Sequence, residues 1–198
     1  VPLQAARSQK ETVIGSSSSL AFRSLLKTSA RRAGLDRSRP RTTGLTPQTL
    51  AFHAAAVASE HPVFLVVPTD TDVERTVADA RLFIAASLGL SDREIEDSVL
   101  GYPSQEVDPY RGLAPHLEIA SARARALFAL SSGSARLVVA SARALLPRLS
   151  DPGELATAGV ALKPGTEISP QDLGDRFARA GFVPEDPVDE HGEFCVRG

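Results

Sequence analysis

The feature that most constrains this sequence is a short, continuous run of apolar residues, Val63–Val67 (VFLVV), which contains no polar alternation. Val-rich runs of this kind are typical of strands in parallel sheets that are covered on both faces. Pro47 suits the first turn of a preceding helix that runs to about Ser59, because its missing N–H would have no helical partner there. Residues 44–69 therefore predict a loop, a helix and a buried strand, an order found in α/β proteins.

The same order of elements continues along the chain. Apolar residues at helical spacing predict a helix from Thr69 to Leu88, which Gly89 ends. A helix over residues 116–131 and a second Val-rich strand over residues 137–140 follow, and Arg123 is expected away from the apolar side of that helix. The fold expectation is therefore an α/β domain built on a parallel sheet.

The remaining elements are predicted to be shorter. They are a helix over residues 143–149, a stop at residues 151–153, a strand from Val160 into a turn at Lys163-Pro164-Gly165, a helix over residues 170–180 and a strand over residues 191–198. The composition changes near residues 153–159, where we place a domain boundary.

Composition excludes several classes of function. The net charge of −2 gives no overall basic field, so the total does not argue for nucleic-acid binding. The single cysteine, Cys195, excludes an intramolecular disulfide and a zinc site built on cysteines. No apolar run of about 18 residues occurs, so we expect no membrane partner and a cytoplasmic protein. The chain has no methionine and stops within an apolar alternation, and we therefore expect a fragment of a longer protein.

One loop has part of a nucleotide-binding pattern. In G-x-x-x-x-G-K-[ST], backbone N–H groups surround the phosphates, while the lysine and the hydroxyl hold phosphate and Mg²⁺. Here Gly44 and Thr46 lie in the loop and Thr49 occupies the hydroxyl position, but Gln48 stands in place of lysine and Pro47 removes a donor. An ordinary loop before a helix and an ATP site remain the two interpretations, and the missing lysine favours the first.

No catalytic set is visible elsewhere, and we predict no catalytic residue and no metal site. The four histidines lack the spacing of a helical metal pair, and no Gly-x-Ser-x-Gly elbow occurs. Residues 31–41 carry five arginines, which is compatible with a nucleic-acid-binding arm but more typical of a solvated linker. On the last predicted strand, Arg197 alternates away from Phe194, so it is either a partner contact or a solvated charge.

Two segments resemble known proteins. Residues 102–123, YPSQEVDPYRGLAPHLEIASAR, look like a segment of the bacterial transcription-repair coupling factors (Mfd). Residues 160–198, which end in His-Gly-Glu-Phe-x-x-Arg-Gly, resemble a module that those factors share with the excision-repair protein UvrB. The resemblance covers roughly residues 44–198.

The resemblance implies a fold and a division into domains. Residues 44–157 would form a RecA-like, P-loop NTPase-like parallel-sheet domain with a degenerate nucleotide loop at Gly44, Thr46, Gln48 and Thr49. Residues 158–198 would begin a small α/β UvrB-type module for UvrA interaction. Residues 1–43 lie outside the resemblance, and their own sequence predicts a polar and basic N-terminal segment with a helix.

The resemblance also implies partners. The segment would recruit UvrA to a stalled RNA polymerase in transcription-coupled nucleotide excision repair, with Arg197 as the UvrA contact and Glu193 and Phe194 in support. RNA polymerase, double-stranded DNA, ATP and Mg²⁺ would be bound by other parts of the parent protein, so we expect no cofactor in this segment. The alternative is the first half of a UvrB-like, ATP-dependent DNA helicase with a divergent nucleotide site.

Overall fold

The computed structural model of the chain describes residues 20–37, 43–107, 116–149, 151–160, 162 and 164–197. Parts of the predicted N-terminal segment 1–43 and of the arginine-rich segment 31–41 lie outside these residues, as does Gly198. The chain divides into two compact units, Val1–Pro147 and Arg148–Gly198. The predicted boundary near residues 153–159 and the predicted identities of the domains stay predictions.

The described part of the first unit alternates helices with three strands, two of which follow the apolar runs at residues 63–67 and 137–140. Its elements are α1 (residues 20–33), α2 (Pro47–Ala58), β1 (Val63–Val67), α3 (Asp70–Leu88), α4 (Asp92–Ser98), β2 (Val99–Tyr102), α5 (Leu117–Ser131), β3 (Leu137–Ser141) and a 3₁₀ helix (Ala142–Leu145). The last element is a single 3₁₀ turn, so the prediction of a helix over residues 143–149 is wrong in type and extent.

All three strands are parallel, in the order β1-β3-β2. In this register Val63 and Val99 both lie opposite Leu137, and Val67 lies opposite Ser141. The carboxyl ends of the strands therefore lie at one edge of the sheet. This arrangement confirms the prediction of a mixed α/β fold with a parallel sheet, while the RecA-like assignment stays a prediction.

The central strand β3 contributes to two apolar clusters, one on each face of the sheet. Leu137 and Val139 pack with side chains of α2 and α3, whereas Val138 and Ala140 pack with side chains of α5. Every residue of β3 is buried. The continuous apolar run in β3 is thus explained by cover on both faces.

The strand β1 differs from this pattern. Phe64 and Val66, on the face of the sheet that carries the α5 cluster, are 45% and 46% exposed, while Val67 is buried. The prediction that Val63–Val67 is covered on both faces is therefore wrong for the described residues. The reason is position, because β1 lies at the edge of the sheet and α5 packs on β2, at the opposite side.

Side-chain caps fix where the helices begin. The Thr46 side chain caps α2, and Thr69 forms a capping box with Asp72 at the start of α3. Gly89 follows α3 with a φ of 70°, a left-handed conformation that glycine adopts without steric cost. These ends agree with the predicted bounds of both helices.

The second unit contains α6 (Pro152–Ala158), α7 (Pro170–Arg179), β4 (Val183–Pro184) and β5 (Glu193–Phe194), and the two strands are parallel. The predicted stop at residues 151–153 is wrong, because Pro152 begins α6, where proline is tolerated. Among the described residues no strand begins at Val160, and the predicted strand over residues 191–198 is reduced to β5. The predicted helix over residues 170–180 is confirmed, with Ser169 as its cap.

None of the helices in the described ranges combines the length and the apolar character that a membrane crossing requires.

Candidate protein interface

The end of β5 packs against α7 through aromatic and small residues. Phe177 of α7 lies with its ring centroid 5.2 Å from that of Phe182 and 5.5 Å from that of Phe194. Gly174 is buried, and a Cβ added there would lie 3.0 Å from Val196 Cγ2 and 3.3 Å from Phe194 Cε2. Phe194 and Val196 therefore both face α7, and a glycine at position 174 permits their close approach.

Glu193 lies in the same strand, but its carboxylate turns toward the preceding loop. Its Oε2 atom accepts hydrogen bonds from the backbone N–H groups of Asp189, at 2.9 Å, and Glu190, at 3.0 Å. These two bonds lower the pKa of Glu193 below its ordinary value, because they stabilise the carboxylate form. Glu193 is thus ionised and holds the loop that connects β4 with β5.

Arg197 presents the exposed charge of this region. Its Nη2 donates to Asp186 Oδ1 at 2.9 Å, and the two side chains are 75% and 65% exposed. Interactions with the Cys195 side chain and with Asp186 raise the pKa of Arg197, so its guanidinium is a permanent cation. Arg197 thus follows β5 instead of lying on a strand as predicted, and its exposed guanidinium is suited to binding a carboxylate of a partner.

The three residues predicted to bind a partner therefore have different environments. Phe194 packs into the aromatic cluster, the exposed carboxylate of Glu193 bonds to the loop, and the exposed guanidinium of Arg197 pairs with Asp186. No group of three or more His, Cys, Asp or Glu side chains within the described part of the chain could hold a metal ion. The prediction that these three residues bind a partner stays a prediction.

The loop predicted to be a degenerate nucleotide site lies at the start of α2. Thr46 Oγ1 accepts from the Thr49 N–H at 3.3 Å and lies 2.9 Å from Thr49 Oγ1, so the two hydroxyl groups engage each other. Gly44 has a φ of 75° and no atoms near its Cβ position, and Gln48 is exposed. The hydroxyl of Thr46 serves as a helix cap, and the interpretation of this loop as a former nucleotide site stays a prediction.

A polar cluster at the carboxyl edge of the sheet was not predicted. Asp70, at the start of α3, accepts from the Ser104 N–H at 2.8 Å through Oδ1 and from the Ser104 hydroxyl at 2.6 Å through Oδ2. Burial raises the pKa of Asp70, but hydrogen bonds with Ser104 and Ser141 and the charge of Arg143 outweigh it, so the pKa lies below its ordinary value. The positions of Asp70 and Ser104 in the sequence could have indicated this cluster, because each residue follows a strand and the carboxyl ends of parallel strands meet at one edge of a sheet.

The sequence also predicts the wrong environment for Arg123 of α5. Its side chain is only 6% exposed; Nη1 donates to the Pro103 carbonyl oxygen and Nη2 to the Tyr102 hydroxyl, both at 2.6 Å. The guanidinium carbon also lies 4.1 Å from the centroid of the Tyr102 ring. Arg123 therefore supports the segment after β2 from within the unit. The expectation that it lies away from the packed side of the helix is wrong, because the buried side of α5 consists of Arg123, Ala126 and Ala129.

Comparisons with known proteins identify relatives of one kind. The chain is 32% identical to a transcription-repair-coupling factor of Haemophilus influenzae over 120 residues, which are 61% of this chain and 10% of the relative. It is 26% identical to the transcription-repair-coupling factor of Escherichia coli over 169 residues, which are 84% of this chain and 14% of that relative. It is 27% identical to the factor of Bacillus subtilis over 157 residues, which are 78% of this chain and 12% of that relative. No protein-family model matches the chain.

Proposed function

Since this chain is a relative of the transcription-repair-coupling factors, we propose that it is the N-terminal, UvrB-like part of such a factor and that its second unit binds UvrA. Through this contact the parent protein recruits UvrA to a stalled RNA polymerase for nucleotide excision repair. The segment itself is non-catalytic in this proposal and acts as a binding module.

The share of the relatives that the chain spans supports the rest of the proposal. The matched residues cover between 10% and 14% of the three relatives, so most of such a protein lies outside this segment. We assign the ATP-dependent motor, with its Mg²⁺, and the contacts to RNA polymerase and double-stranded DNA to those other parts. A cytoplasmic location follows from this assignment.

The exposed guanidinium of Arg197 is the observation that supports this proposal most. The backbone before Arg197 is fixed because Phe194 and Val196 pack on α7, whereas the side chain itself reaches the surface. Arginine is enriched among the interface residues that contribute most to affinity, since its planar group binds carboxylates through two parallel hydrogen bonds.

We expect Arg197→Ala to weaken UvrA binding by about 2 kcal/mol or more, because the substitution leaves the matching group of UvrA without its partner. The measurement is isothermal calorimetry with purified UvrA and the longer parent polypeptide that carries this segment. Arg93→Ala, which removes an exposed arginine of α4, serves as the matched control and should leave the affinity unchanged. Equal affinities of the wild type and Arg197→Ala would contradict the site, and the absence of UvrA binding by the wild type would contradict the function.

A further inference from the structure

We propose that Glu193 does not contact the partner but positions Arg197, acting through the loop of residues 185–190 and through Asp186. This inference rests on the proposed function, because it concerns how the guanidinium offered to UvrA is oriented. It replaces the expectation that Glu193 is itself part of the contact surface.

The first link joins Glu193 to the loop. One carboxylate oxygen, Oε2, accepts from both the Asp189 and the Glu190 N–H groups. These bonds add to the backbone bond from the Glu193 N–H to Glu190 O, at 3.3 Å, in the turn that precedes β5. Strand pairing holds the two ends of the loop, since the Val183 N–H donates to Gly192 O and the Glu185 N–H donates to Phe194 O. The side chain of Glu193 thus adds two hydrogen bonds to the part of the loop that lies outside the strand pairing.

The second link joins the loop to Arg197. Asp186 lies next to the paired Glu185 and accepts from Arg197 Nη2 at 2.9 Å. An exposed ion pair contributes little to folding stability, but it restricts a long side chain that otherwise samples many rotamers. Because ordering such a side chain costs binding free energy, an Arg197 already held by Asp186 binds a partner with a smaller entropic loss.

The two links predict different effects for removing and for conserving the acceptor. Glu193→Ala removes the acceptor, releases the loop and with it Asp186. Glu193→Gln keeps a side-chain oxygen at the same position, which can still accept from both N–H groups although it has lost the charge. If Glu193 instead met a cation of UvrA, the charge would be the essential property and both substitutions would be equally harmful.

The first experiment is a calorimetric titration of UvrA with variants of the parent polypeptide. We expect Glu193→Ala and Asp186→Ala each to weaken binding about three- to tenfold, the range that follows from ordering one long side chain. Glu193→Gln should remain within about twofold of the wild type. The double variant should be no weaker than the weaker single variant, since residues that act through one path are not additive.

A control and two outcomes make this test decisive. Glu190→Ala removes an exposed carboxylate of the same loop but keeps its backbone N–H, so it should bind UvrA as the wild type does. Equal weakening by Glu193→Gln and Glu193→Ala would overturn the inference in favour of a direct contact. Additive losses in the double variant would also overturn it.

The second experiment needs no UvrA and separates this inference from the proposed function. In nitrogen-15 NMR spectra of this chain, the amide protons of Asp189 and Glu190 should move upfield in Glu193→Ala and stay near their positions in Glu193→Gln. The guanidinium resonances of Arg197 should change in Glu193→Ala as they do in Asp186→Ala. Unchanged Arg197 resonances in Glu193→Ala would overturn the inference even if UvrA binds, whereas the expected spectra without UvrA binding would contradict only the function.

Discussion

At the scale of single residues, Asp70 connects segments that are far apart in the sequence. Its carboxylate joins the start of α3 to Ser104 after β2 through two hydrogen bonds, and an interaction with Ser141 at the end of β3 contributes to its lowered pKa. Ser104 and Ser141 are buried, so removal of their common acceptor leaves donors without partners away from water. The free-energy cost of burying an unpaired donor is larger than the net stabilisation that a solvent-exposed hydrogen bond contributes.

We expect Asp70→Asn to lower the free energy of unfolding by about 1–3 kcal/mol at pH 7, because the amide cannot accept through both of its terminal atoms. The measurement is urea denaturation followed by circular dichroism. Glu74→Gln, an exposed change in the same helix, is the matched control and should alter stability little. A wild-type transition for Asp70→Asn would contradict this role.

The pH dependence of the same residue gives a further test. The pKa of Asp70 is lowered in the folded protein, so its contribution is complete above the ordinary aspartate pKa of about 4 and is lost as the pH falls through the folded value. The difference in stability between the wild type and Asp70→Asn should therefore shrink below about pH 4. A difference that does not change with pH would show that the charge of Asp70 is irrelevant to folding.

At the scale of elements, α1 is attached to the end of α3 by one arginine. Arg23 Nε donates to the Ala86 carbonyl oxygen at 3.3 Å, and a Cβ added to Gly89 would lie 2.0 Å from Arg23 Nη2. A second contact lies beyond α1, where His53 Nδ1 is 2.6 Å from the Leu35 carbonyl oxygen. A cation near the carboxyl end of a helix is also favoured by the helix dipole.

We expect Gly89→Ala to destabilise the protein by more than Gly133→Ala does. Both glycines have a left-handed φ, 70° and 69°, so both substitutions cost about 1–2 kcal/mol in backbone strain. Nothing lies within 4 Å of a Cβ at Gly133, whereas a Cβ at Gly89 displaces Arg23 and removes about 0.5–1.5 kcal/mol of hydrogen bonding. Thermal denaturation measures the difference, which should disappear in an Arg23→Ala background; a difference that persists there would exclude Arg23 as its cause.

At the scale of the whole molecule, the chain consists of a parallel α/β unit and a small second unit with its own aromatic cluster. The proposed division of labour assigns partner binding to the second unit and no nucleotide chemistry to the first. In the loop before α2, Gln48 stands at the position where a phosphate-binding loop has lysine. The hydroxyl groups of Thr46 and Thr49 already bond to each other. Both features weaken a phosphate site.

We therefore expect millimolar Mg-ATP to leave the melting temperature of the chain unchanged. A ligand that binds only the native state stabilises it by mass action, by about 2.7 kcal/mol when its concentration is 100 times its Kd. Differential scanning fluorimetry with and without Mg-ATP measures the shift, and magnesium chloride alone is the control. A clear rise with Mg-ATP would favour the alternative of a UvrB-like helicase with a divergent nucleotide site.

Local sequence patterns predict the types of most elements in the first unit and the ends of its two best-capped helices. The bounds of α2 and α3 follow from apolar spacing and from local features such as Thr69 and Gly89, because caps and periodicity act within a few residues. The errors in the type and extent of elements lie after residue 141, where short elements lack a sustained period and proline can begin a helix as readily as end one.

The contacts between residues of different elements became visible in the tertiary structure alone. It placed β1 at the edge of the sheet, so that Phe64 and Val66 are half exposed although the VFLVV run resembles that of a central strand. It also buried Arg123 and turned Glu193 toward the loop. These outcomes depend on which segments pack together over long separations, and a local pattern contains no information about the neighbour that covers a face or accepts a hydrogen bond.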